Sequence, residues 1–66
     1  MNKNLLLSKM LEHDKTVEDI CKACEISASA FTRKANGHSQ FKQREITAIT
    51  KLLELTPEVV MHTFFE

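Results

Sequence analysis

Cys21-Lys22-Ala23-Cys24 is the pairing in this 66-residue chain whose residue types and spacing suggest metal binding or thiol–disulfide exchange. A redox pair belongs at a helix N-terminus after a strand, where the helix dipole lowers the first thiol's pKa. Here the two cysteines continue an apolar stripe with Ile20 at helical spacing, and no strand precedes them. A structural zinc needs two further ligands at short spacing, whereas His13, His38 and His62 lie far apart along the chain. Small thiols buried between helices are the reading that the pattern supports, with no metal. No nucleophile–base pair, paired acids or phosphate-binding glycine loop occurs elsewhere. With one glycine and a chain this short, a catalytic pocket is not expected. The reading is of a non-enzyme, without cofactor or small-molecule substrate.

Charge is balanced overall but unevenly placed. Residues 1–26 carry −1 and residues 52–66 carry −3, while residues 27–51 hold Arg33, Lys34, Lys42, Arg44 and Lys51 against Glu45, a net +4. Bulk attraction to a polyanion is therefore excluded, and a local basic surface in the middle of the chain is not. The apolar fraction of 42%, with one glycine and one proline, favours a compact helical domain. Leu5-Leu6-Leu7 is far too short for an exported or spanning segment. No membrane association and a cytoplasmic location are expected.

The elements that position these residues follow from caps and periodicity. A first helix is expected over 4–13, with Leu6 and Met10 inward and Leu7 and Leu11 as further candidates for the packed face. Thr16 opens a second helix, 17–24, with Glu18 and Asp19 in its first turn. Ser27 opens a third, 28–35, with Phe31 and Ala35 on one face and Asn36-Gly37 at its end. A fourth runs over 42–53, with Ile46, Ile49, Leu52 and Leu53 inward, Glu45 where a capping-box acid would stand, and Phe41 plugging the core before it. Thr56-Pro57-Glu58 starts a fifth, 57–65. The result is an all-α, five-helix single domain over residues 1–66.

Residues 16–37 resemble the helix-turn-helix of the phage repressor and Cro family, the lambda-repressor-like (Xre) DNA-binding domains. The Thr16 cap, small Cys21, Ile26-Ser27 across the turn, apolar Phe31 and Asn36-Gly37 carry the resemblance. Two positions depart from it. Val17 stands where the family usually has a phosphate-bridging Gln, and Glu25 occupies a turn position that is often Gly, so that it must take a left-handed conformation at some cost or the chain must use a different turn.

The resemblance implies that helix 28–35 enters the major groove of a double-stranded DNA operator. Arg33 is then the foremost base reader, since a guanidinium can donate twice to a guanine edge, with Ser29, Thr32 and Ala28 beside it. Lys34, His38, Ser39, Lys42 and Arg44 are candidates for the DNA backbone, together with the helix N-termini at Val17 and Gln43. Val59, Val60, Met61, Phe64 and Phe65 supply more apolar surface than one packing face hides, and a homodimer interface through the last helix is expected. The expected function is a repressor or Cro-like transcription regulator of phage or mobile-element type. The rival is a protein-interaction module, an antirepressor or inhibitor that keeps the fold without binding DNA.

Overall fold

The computed structural model describes all 66 residues, and they fold into five α-helices with no strand. These are α1 (Lys3–Glu12), α2 (Val17–Cys24), α3 (Ala28–Ala35), α4 (Gln43–Leu52) and α5 (Pro57–Phe64). No helix is long and apolar enough to cross a membrane.

Most helix starts are set by short-range hydrogen bonds. Thr16 and Asp19 close a reciprocal capping box, Thr16 Oγ1 accepting from the Asp19 N–H and the Asp19 carboxylate accepting from the Thr16 N–H at 2.8 Å. The Ser27 Oγ accepts from the Ala30 N–H, and the Thr56 Oγ1 from the Val59 N–H ahead of Pro57 at the first helical position. Asn2 caps α1 in the same way, so that helix begins one residue earlier than the sequence suggests. Lys42 offers no side-chain cap, but its N–H donates to the Glu45 carboxylate at 2.8 Å.

Eight-residue helices are too short to persist alone, so packing holds them. α2 lies against both α3 and α4, while α5 packs on α1 and α4. Leu6, Ile20, Cys24, Ile49 and Leu53 are wholly withdrawn from water, and Met10, Phe31, Ala35 and Ile46 nearly so. Each large aliphatic side chain buried in this way contributes about 1.5–3 kcal/mol. Phe41 plugs the core as expected. Its ring meets Phe31 and Phe64 edge-on, at centroid distances of 6.2 and 5.5 Å.

Two expectations fail on α1. Leu7 and Leu11 do not join the packed face: Leu11 is 82% exposed and Leu7 39%. They point away from the Leu6–Met10 stripe that meets the core, because one short helix turns only about a third of its circumference inward.

The turns are more costly than the helices. Asp14, Glu25 and Glu54 all adopt positive φ, and Glu25 sits at φ 60°, ψ 45° as the C-cap of α2. An acid there bears the steric cost of the left-handed region and also faces the negative end of the helix dipole. Gly37 takes φ 85° after α3 without that cost.

Two stability measurements check this account. Glu25→Gly is expected to stabilise the fold by about 0.5–1 kcal/mol, visible as a rise of several degrees in the thermal midpoint by circular dichroism. An unchanged or lower midpoint counts against strain at the turn. Leu6→Ala is expected to cost about 2–5 kcal/mol, and Leu11→Ala less than about 0.5.

Candidate nucleic-acid interface

α3 divides cleanly into two faces. Phe31 and Ala35 are buried, whereas Ala28, Ser29, Thr32 and Arg33 are exposed. The Arg33 guanidinium forms no ion pair or hydrogen bond within the chain, so its donors are free for a partner. The Ser29 hydroxyl is also unengaged. Thr32 already donates its hydroxyl proton to the Ala28 carbonyl at 3.0 Å, leaving it an acceptor toward anything outside.

The chain after α3 extends this face. Ser27, Ser29, Ala30, Arg33, Lys34 and Ser39 line a shallow depression of about 310 Å³. It unites Ser29, Arg33 and Lys34 from the helix with Ser39 from the loop, four of the residues that the sequence singles out. His38, Lys42, Gln43 and Arg44 are exposed beyond it. A rim of hydroxyls around one unpaired guanidinium suits an anionic, hydrogen-bonding partner.

Lys34 departs from the expected role. Its ammonium turns inward to the Glu45 carboxylate at 2.6 Å, with 11% of the lysine side chain and 1% of the glutamate side chain exposed, and lies 5.9 Å from the Phe41 ring centre. It is committed inside the fold and is not presented to solvent as a free cation. Burial by itself would raise the Glu45 pKa. The hydrogen bonds from Lys34 and the Lys42 N–H, aided by the charges of Lys34 and Arg44, outweigh that and hold it below its ordinary value. Arg44 is also partly committed, donating from Nη1 to the Cys24 carbonyl at 3.0 Å.

The two helix N-termini proposed for phosphates are less open than α3. At Val17 the Asp19 carboxylate already occupies the cap, its pKa lowered by hydrogen bonds from Thr16. At Gln43 the Glu45 carboxylate does the same. An approaching phosphate meets a like charge at Val17, whereas at Gln43 the preceding Lys42 N–H is already taken by a carboxylate paired with Lys34.

Among the apolar residues of α5 and its C-cap Phe65, the structure separates the core from the surface. Phe64 is half-buried against Phe41 and closes the core, so it is not part of a free face. Val59 and Val60 are half-buried as well. Met61 and Phe65, one turn apart, are each 59% exposed. The residues that sequence reasoning missed are Glu45, as the partner of Lys34, and the Cys24 carbonyl, as the partner of Arg44. The capping position of Glu45 was the available signal.

Comparison with known protein families, curated proteins and solved structures finds no match to this chain.

Cys21 and Cys24 are free and buried, and the Cys24 thiol donates to the Glu45 carbonyl at 3.6 Å. Burial pushes the Cys24 thiol up to about 11, with the Glu45 charge adding to the effect, and burial also raises Cys21. The folded chain therefore keeps the Cys24 proton where the unfolded chain has lost it. This contribution to stability is complete below pH 9 and erodes as pH climbs toward about 11. Denaturant titrations across that range should show a steeper alkaline loss for the wild type than for Cys24→Ala. Equal slopes would mean that the thiol ionises freely in the folded state.

Proposed function

We propose that the chain is a sequence-specific double-stranded DNA-binding transcription regulator of the repressor or Cro type. α2 and α3 act as its helix-turn-helix, and α3 lies in the major groove. The observation that carries this reading is the unpaired Arg33 guanidinium, set beside Ser29 and Thr32 on the exposed face of α3 and opposite buried Phe31 and Ala35. Arg33 donates to a guanine edge, Ser29 and Thr32 bond to a neighbouring base or phosphate, and the Ala28 methyl meets a thymine methyl. Ser39, His38 and Lys42 take the backbone on the flank, fixing register without specifying sequence.

The functional unit in this reading is a homodimer joined through Met61 of α5 and Phe65 at its C-terminal cap. Their exposure one turn apart supports the choice, since paired large apolar side chains on a small surface favour association. The size of the body is compatible with it. Each protomer spans 26 × 23 × 20 Å, so two related by a two-fold axis suit recognition helices one DNA turn, about 34 Å, apart.

Selection of a random duplex library by the purified protein tests the proposal. Enrichment of a two-fold symmetric site that weakens steeply with salt is the expected result. Arg33→Ala should then cost about 1–3 kcal/mol on the selected site and relax preference at one position. Met61→Glu should reduce the dimer fraction in sedimentation. Without saturable duplex binding by the wild type, the protein is instead an interaction module, and Met61 and Phe65 become the surface on which to seek its protein partner.

A further inference from the structure

Two consecutive residues at the start of α4 grip the two helices of the α2–α3 unit separately. Arg44 donates to the Cys24 carbonyl at the end of α2, at 3.0 Å. Glu45 accepts from the Lys34 ammonium near the end of α3, at 2.6 Å. The same Glu45 oxygen accepts from the Lys42 N–H at 2.8 Å, which ties the pair to the first turn of α4. The Cys24 thiol donates to the Glu45 main-chain carbonyl, a further link between α2 and α4. Phe41 covers the ammonium and locks the intervening loop through Phe31 and Phe64.

We infer that Arg44 and Glu45 form a clamp that fixes the orientation of α3 against α2, and that Lys34 is a positioning residue for the reading face and not a contact to DNA phosphate. The inference rests on the duplex-binding reading for its functional consequence, but its geometry does not. Lys34 and Arg33 are neighbours on α3, yet they are used oppositely: Arg33 stands free in solvent, while Lys34 is consumed inside. A buried ion pair of this kind is a weak source of net stability, because desolvation of both charges offsets their attraction. What it supplies is direction. Ammonium and carboxylate must meet at hydrogen-bond distance, whereas apolar side chains tolerate sliding, and a pair joining α3 to α4 therefore restricts how far α3 rolls on its apolar face. The second Glu45 oxygen is buried without a partner, so Lys34 and the Lys42 N–H, both on the first oxygen, are the attachments that hold the carboxylate inside the fold.

The test uses Lys34→Met, Glu45→Gln and the two together. Lys34→Met alone leaves an uncompensated buried carboxylate and risks unfolding. The double variant buries no unpaired charge, and its glutamine oxygen still accepts from the Lys42 N–H, so it keeps the fold. On the duplex selected by the wild type, the double variant should bind about tenfold more weakly, comparable to loss of one base contact, with broadened base preference. The slope of log affinity against log salt should stay at the wild-type value, since no phosphate contact has been removed. A slope shallower by about 0.9 would identify Lys34 as a phosphate ligand and overturn the inference. Wild-type affinity and base preference in the double variant would also overturn it. If the wild type itself binds no duplex, the DNA-binding reading fails and amide hydrogen exchange decides the clamp on its own. Faster exchange across α3, with α1 and α5 unchanged, supports the clamp, and equal exchange in both proteins overturns it.

Discussion

Ile20 and Cys24 on α2, and Ile49 and Leu53 on and just after α4, are fully removed from water, and the packing of these two helices is the constraint on which the rest of the structure depends. A chain of this size has only ten buried apolar residues, and α5 contributes none of them. Nothing as short as α2 or α3 persists without a neighbour. α4 supplies that neighbour, and α3 is held through α2 and through the polar joint at Glu45. The exposed face of α3 is thus a by-product of how α2 meets α4: once Phe31 and Ala35 are drawn to the core, Ser29, Thr32 and Arg33 have only solvent to face.

Polar groups in this protein are placed with the same economy of reach. Asp19 and Glu45 each fold back on a cap three residues earlier, and each thereby puts a carboxylate on a helix N-terminus. Within the positive middle segment the guanidinium of Arg33 is an exposed, unpaired charge, as are the ammonium groups of Lys42 and Lys51, while Lys34 is paired inside the fold. In the proposed reading, sequence preference therefore concentrates in a few side chains on one helix, and the backbone-facing flank is narrower than the number of basic residues suggests.

The features legible in the sequence are those decided within three or four residues. Thr16, Ser27 and Thr56 cap helices because the N–H groups they satisfy are close neighbours along the chain, and Pro57 reinforces the last start. The inward stripes of α2, α3 and α4 follow from helical periodicity alone. The features that were not legible depend on pairing across turns. The partner of Lys34 stands eleven positions away, beyond a loop whose path no local rule fixes. Lys34 and Arg33 are both basic residues in the last turn of one helix, and only the position of α4 distinguishes them. Phe64 and Phe65 are adjacent and alike, yet the placement of Phe41 draws in one and leaves the other outside. Leu7 and Leu11 repeat at the same spacing as Leu6 and Met10, so periodicity cannot say which pair the neighbours will cover.

The edge-on series of Phe31, Phe41 and Phe64 bears on the segment between α3 and α4 in a further way. Phe41 is wedged between rings from two different helices, so this loop cannot lift without exposing apolar surface on both sides. Its backbone freedom is surrendered when the chain folds, at a cost on the order of 1–2 kcal/mol per residue. A partner that lands on Ser39 and its neighbours meets a surface already ordered, and association there spends little conformational entropy on this side of the interface.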